Sequence, residues 1–322
     1  MKKLTMLALA AMMLFTTDAM AQFASQKGDI STEVKFNPFS DDFKTFSLEG
    51  LKVRYFVTDV DAVRLNVDFG MDKNTYTDKN SFNSQFDGAT SYTIRNNETE
   101  TKTTATTLKV GLGYERHLIN DGRLNIYAGA EVGYIAKFYS AEQKFTETGT
   151  MVSTVAPGTT STTNYTTSRT VTYEKMMPTG ANPALPGDPT AAAPSLTGTR
   201  LNSNAIYAGI FTGVDFYIYK GIYVVTEFGI RFQTGKSSNN GTYTDSYSRN
   251  STTNTAGAVS TSNTKWEYSS ETGRCTGNTL TNVGGAITDT PLNFAYGAND
   301  YTASDTSVKV FIEPALRLGW RF

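Results

Sequence analysis

Fifteen charged residues sit at alternate positions of extended, otherwise apolar segments of this 322-residue chain: Glu33, Lys35, Lys52, Arg54, Arg64, Asp68, Lys109, Glu115, Glu131, Asp215, Glu227, Arg231, Lys309, Glu313 and Arg317. Eight are bases and seven are acids, so almost every one can meet an opposite charge if all face the same interior. An unpaired buried ion costs several kcal/mol, whereas a paired and hydrogen-bonded one is tolerated. Such a set supports two kinds of chemistry: a narrow ion or proton path, or a structural polar plug.

Other reactive groups are scarce. The single Cys and single His exclude an internal disulfide framework and a zinc site of the Cys/His type. Imidazole is the side chain suited to moving protons near neutral pH. His117 falls beside the turn-forming Asn120-Asp121-Gly122, far from any Ser or Asp of the long connections, and reads as an interfacial histidine. Asp300 and Asp305 match no calcium-loop spacing. Gly111 and Gly113 lie inside a strand pattern with no helix following, which excludes a dinucleotide-binding turn. The expectation is a protein with no cofactor, no metal and no enzymatic reaction. With 29 Lys+Arg against 30 Asp+Glu there is no positive excess to hold a nucleic-acid backbone, so no nucleic-acid partner is expected.

The elements that must position the fifteen charges are strands. From Val308 the even positions read Val, Val, Ile, Pro, Leu, Leu, Trp, Phe, while the odd positions carry Lys309, Glu313, Arg317, Gly319 and Arg321 with Phe311 and Ala315. The same period of two recurs near Ile30–Phe36, Leu51–Val57, Val63–Phe69, Leu108–Tyr114, Leu124–Tyr134, Ile206–Phe216 and Ile222–Arg231, giving eight strands. Glycines at 111, 113, 129, 133, 209, 213, 229 and 319 share the charged face, where they leave room for large side chains. Connections alternate between tight turns at 58–61, 120–122 and 220–221 and long loops at about 77–100, 149–200 and 237–304. That plan predicts an all-β fold: a transmembrane, antiparallel, up-and-down eight-stranded β-barrel with short periplasmic turns and long extracellular loops.

The N-terminus supplies the route. Lys2 and Lys3 precede an apolar run to Phe15, and Ala19-Met20-Ala21 fits a signal-peptidase site, so residues 1–21 read as a cleaved signal peptide and 22–322 as one barrel domain. The loops are Thr/Ser/Asn-rich. Tyr165, Val171 and Tyr173 could extend neighbouring strands, and Tyr243, Tyr247, Trp266 and Tyr268 suit either a contact surface or packing within the loop. Cys275 reads as a surface residue of the last loop.

Leader, eight alternating strands and the ending Leu318-Gly319-Trp320-Arg321-Phe322 together resemble the small OmpA-like and OmpX-like outer-membrane β-barrels, in their Bacteroidota form. The resemblance implies integral placement in the outer membrane among its lipids. It also implies that Trp320 and Phe322 serve as the signal read by the barrel-assembly machinery, although Arg317 replaces a glycine usual in that signal. No peptidoglycan-binding domain is expected after the barrel. The expected role is non-enzymatic, structural or surface-interactive, with protein partners reached through the loops, including as a subunit of an outer-membrane complex. A narrow porin and a surface adhesin are the alternatives.

Overall fold

A computed structural model of the chain describes residues 25–36, 50–84, 91–156, 159–178, 199–219, 221–237, 241–295 and 305–322. The leader expected at 1–21, the proline-rich run from Pro183 to Pro194, Asp300 and the side chain of Asp305 lie outside the described residues. The strands are β1 (Ile30–Phe36), β2 (Gly50–Phe56), β3 (Asp61–Asn83), β4 (Tyr92–Asp121), β5 (Leu124–Ala156), β6 (Thr159–Glu174), β7 (Met176–Pro178), β8 (Thr199–Leu201), β9 (Ser203–Tyr219), β10 (Ile222–Ser237), β11 (Thr242–Thr255), β12 (Ala258–Ser269), β13 (Arg274–Val283), β14 (Ala286–Ala295) and β15 (Asp305–Arg321). No helix occurs among the described residues.

Eight of these strands close a ring in the order β1-β2-β3-β4-β5-β9-β10-β15, each antiparallel to its neighbours, and β15 returns to β1. They are the eight segments in which apolar and polar residues alternate. Register follows that alternation: Leu51 pairs with Val67 and Leu65 with Leu112, while Lys52 pairs with Asn66 and Arg64 with Gly113. A slip of one residue would turn every charge outward, so the pattern itself fixes the pairing.

One end of the ring is closed by tight turns. Val57 N donates to Asp61 O at 2.9 Å, and the Thr58 hydroxyl donates to the Asp61 carboxylate at 2.9 Å. Gly122 supplies the left-handed φ of +57° that the β4–β5 turn requires. The C-terminus seals the same end, where Phe322 N donates to Ile30 O at 2.8 Å.

At the other end three strands do not stop. β4 has 30 residues and β5 has 33, so each is about 100 Å long at roughly 3.3 Å per residue. Leu124–Lys137 of β5 pairs with β9, and Ser140–Ala156 pairs instead with β6, so the sheet forks there. Beyond the fork β3, β4, β5, β6, β11, β12, β13 and β14 continue as one open sheet, here called the wing, with the short β7–β8 ribbon beside it.

This corrects the reading of the long connections as loops. Most of 77–100 is the upper β3–β4 hairpin, 149–174 completes β5 and forms β6, and 242–295 is two further hairpins. Hydropathy could not reveal their full length, because Thr, Ser and Asn on both faces of the segments away from the fork leave no period of two. The strand character suggested for Tyr165, Val171 and Tyr173 is found in β6.

Candidate functional site

Along each ring strand successive side chains alternate between outside and lumen. The outside is apolar and uncovered: Leu112, Val132, Ile206 and Ile210 are 59–62% exposed. The lumen is charged and buried: Glu33, Arg54, Glu115 and Asp215 are completely inaccessible, with Lys52 and Arg64 nearly so.

Arg54 on β2 is the hub. Its guanidinium lies 2.5 Å from Glu33 on β1, 3.1 Å from Glu115 on β4 and 2.6 Å from Asp215 on β9. It also stacks 4.6 Å above the Tyr127 ring centroid and donates to the Tyr127 hydroxyl at 3.2 Å. One layer up, Glu227 on β10 accepts from Lys52 at 2.7 Å, Arg64 at 2.7 Å, Arg317 at 3.1 Å and the Tyr127 hydroxyl at 3.0 Å. Arg64 also reaches Glu131 at 2.8 Å, and Glu131 accepts from Asn66 and, at 2.6 Å, from the Tyr207 hydroxyl. Lys52 closes the circuit at 3.1 Å from Glu33. Every carboxylate in the layer thus touches a cation, the condition under which buried charge is tolerated.

Above this layer the lumen narrows to a cavity of about 60 Å³, lined by Lys35, Asp68, Lys109, Arg231, Arg317 and Tyr207 among others. Lys109 lies 3.7 Å from Asp68 and 4.8 Å above the Tyr207 ring, over which Arg231 also sits at 5.5 Å. The backbones of Lys309 and Glu313 pair with Gln233 and Gly229, but their side chains lie outside the described residues. The aromatic packing fits over lumen glycines: a methyl at Gly213 would overlap the Tyr127 ring, and one at Gly319 the Tyr223 ring. The arrangement holds charges in fixed pairs, and the cavity of about 60 Å³ has room for a few waters.

His117 is not interfacial as expected. Its ring points inside with that of Tyr127, its register partner, and is buried, 3.3 Å from Glu115 and stacked at 5.4 Å on Tyr127, ahead of a bulge between His117 and Ile119. Its shared parity with Glu115 was the available signal. Parity could equally have found Arg321, which is buried, 3.5 Å from Asp29 and donates to the Tyr217 hydroxyl at 3.0 Å. The lumen tyrosines were missed because an aromatic reads as apolar on either face. Trp320 and Phe322 stand at the turn end, their rings 6.1 Å apart and 16° from parallel.

The wing has a different interior. On the face continuous with the lumen, Tyr173, Met176, Leu201, Tyr243, Tyr268 and Cys275 form a buried cluster beside the fork. Trp266 packs there too, stacked at 5.0 Å on Tyr247. The loop aromatics therefore pack within the chain, and Cys275 is fully buried rather than on the surface, its thiol pushed up by burial. Next to the cluster Arg169 forks onto Asp245, with Nε 2.8 Å from Oδ1. Burial holds the Asp245 carboxyl above its usual range despite the opposing pull of Arg169.

Neither a protein-family model nor a curated protein sequence matches the chain. Among solved structures it is similar to CdiB from Escherichia coli, at 8% identity over 95% of this chain and 64% of that one, TM-score 0.16. The chain thus spans about two-thirds of the length of CdiB. It is also similar to LpxR from Salmonella typhimurium, at 8% identity over 91% of this chain and 99% of that one, TM-score 0.17. A third is the toluene transporter TbuX from Ralstonia pickettii, at 9% identity over 91% and 87%, TM-score 0.13.

Proposed function

We propose that the protein is an integral outer-membrane β-barrel with a closed lumen, whose ring spans the bilayer and whose wing stands outside it. Its role in this reading is non-enzymatic: structural, or interactive through the wing, including as a subunit of an outer-membrane complex. The observation that carries the reading is the inverted polarity of the ring, with apolar side chains exposed outside and charges buried within. Water would penalise that arrangement, whereas hydrocarbon rewards it. The apolar face of β9 runs from Ile206 to Phe216, and eleven residues tilted by about 40–45° cover about 25 Å, the height of the lipid-facing band of such barrels. Outward residues turn polar above that height, with Thr106, Thr104 and Lys102 following Leu108 on β4.

The turn end then faces the periplasm, after export on the leader at 1–21, and Trp320 and Phe322 present the signal for the barrel-assembly machinery. The test is fractionation with gel mobility. The protein should need detergent for extraction and migrate faster unheated than boiled; release into the soluble fraction without a mobility shift would overturn the reading. Planar-bilayer recordings should be silent, because Arg54 and Glu227 each bridge several strands across the lumen. Reproducible conductance steps would instead support the narrow porin. The wing favours a second reading as surface adhesin, tested by deleting 149–200 and 237–304 and measuring attachment. Detergent pull-down from native membranes separates a lone barrel from an assembly subunit.

A further inference from the structure

We infer that the outer face of the wing is a binding platform for a neutral, polyhydroxylated polymer, a glycan laid across the strands. The inference rests on the wing standing outside the membrane. Its starting point is a shallow groove of about 510 Å³ crossing β6, β11, β12, β13 and β14, with no charged residue in its lining. One bank is the row Asn164, Thr252, Thr261 and Asn282, paired in register and ending at Ile287. The other bank is Thr166, Asn250 and Asn263, ending at Leu280. Opposed residues of neighbouring strands point to the same face, so each bank is a line of amide and hydroxyl groups at the interstrand repeat of about 4.8 Å.

The second row does not end at β6. Thr166 pairs with Thr148, Thr148 with Asn96 and Asn96 with Ser81, where another groove of about 460 Å³, lined also by Lys79 and Glu98, opens on the same face. Ser81, Asn96, Thr148, Thr166, Asn250 and Asn263 therefore form one uncharged ladder over six strands. Five interstrand steps make it about 24 Å long.

Three features select the occupant. Amides and hydroxyls offer donors and acceptors together, which matches sugar hydroxyls, and the two charges beside the ladder, Lys79 and Glu98, are paired with each other at 3.1 Å. Leu280 and Ile287, 40% and 72% exposed, supply an apolar end on which the C–H face of a sugar ring can rest. The backbone groups of β6, β11, β12 and β13 are already committed to the sheet, so a peptide could add as a strand only at an edge such as β14 and not across the groove. Two groups of the first bank are held in place by their neighbours: Thr150 Oγ1 donates to Asn164 Oδ1 at 2.7 Å, and Asn282 Oδ1 accepts from Gly285 N at 3.0 Å. Both contacts use the carbonyl oxygen and leave the amide N–H₂ to a ligand.

The experiment uses the full-length protein in a detergent without a sugar headgroup, with retention measured on immobilised laminarin, mannan and dextran and on anionic heparin. The expected result is retention by at least one neutral polysaccharide that persists at high salt. The double substitution Asn250→Ala with Asn263→Ala should lower that affinity about tenfold, the effect of losing two uncharged hydrogen-bonding groups. Both proteins should keep the heat-dependent mobility shift, which reports the barrel independently. Retention of none of the neutral polymers by protein that shows the shift, retention on heparin only at low salt, or equal retention by the double variant would each overturn the platform. Loss of the mobility shift in the unsubstituted protein would overturn the barrel reading instead.

Discussion

The two halves of β5 obey opposite rules. From Leu124 to Lys137 the strand shows apolar side chains outward and buries Asn125, Tyr127 and Glu131; from Ser140 to Ala156 its outward positions are Glu142, Lys144, Thr146 and Thr148. The ring spends its polar groups on its interior, and the wing spends them on its surface. One continuous backbone ladder serves both, because a β-sheet leaves side-chain polarity free once its own hydrogen bonds are made. What differs is how each half holds its interior. The ring relies on charge pairing around Arg54 and Glu227, and the wing on an aromatic cluster beside the buried Arg169–Asp245 ion pair.

The largest effect that could break this contrast is removal of the hub. Arg54→Met strips Glu33, Glu115 and Asp215 of a shared partner, and breaking a buried pair in this way costs about 3–5 kcal/mol. The unheated, fast-migrating gel band should be lost at a lower urea concentration than in the parent protein. Arg169→Met in the wing strands Asp245, which can take up a proton, so it should speed proteolysis of the wing and leave the ring's urea midpoint alone. Equal effects on the ring from the two substitutions would erase the distinction. A smaller effect is expected from Gly213→Ala, whose methyl must displace the Tyr127 ring and with it the contacts to Arg54 and Glu227. Overpacking of this kind costs about 1–3 kcal/mol, read as a shift of the same midpoint.

The contrast also explains what could be read in advance. The ring was legible because a barrel wall must alternate strictly: Ile30–Phe36 is found as written, and the parity that placed Lys52, Arg54, Arg64, Glu115 and Glu227 on one face placed them in one lumen. The wing was not legible, since the halves of β11 and β12 away from the fork carry Thr, Ser and Asn on both sides, and the short alternation at Tyr243–Tyr247 and Trp266–Tyr268 is too brief to mark a strand by hydropathy. Partner choice was equally hidden. Arg54 and Asp215 are far apart in the chain and meet only because β2 and β9 face each other across the ring. His117 shares the parity of Glu115 and Arg321 that of Arg317, and both lie buried inside although each stands next to the turn end.

Within the wing, burial can be checked without perturbing the fold. Cys275 has no exposed surface and its thiol is pushed above the ordinary range by burial. A water-soluble alkylating reagent should therefore react slowly with the folded protein at pH 8 and quickly once the wing is unfolded in urea. Rapid labelling of the native protein would show that the aromatic cluster does not exclude water.

The smallest effect concerns Asp245. Its folded carboxyl lies above the ordinary range because burial outweighs Arg169, so the folded wing binds this proton more tightly than the unfolded chain does. The sign follows from linkage: the contribution is fully present below the ordinary aspartate value of about 3.9 and is lost as pH rises through the raised folded value. Resistance of the wing to proteolysis should accordingly fall across the mildly acidic range, and Asp245→Asn should flatten that fall while leaving the ring's gel mobility unchanged. A profile unaltered by the substitution would assign the pH dependence to other groups. It would also mean that the Arg169 pair fully offsets the burial of Asp245, which would make the wing's ion pair as well matched as those of the lumen.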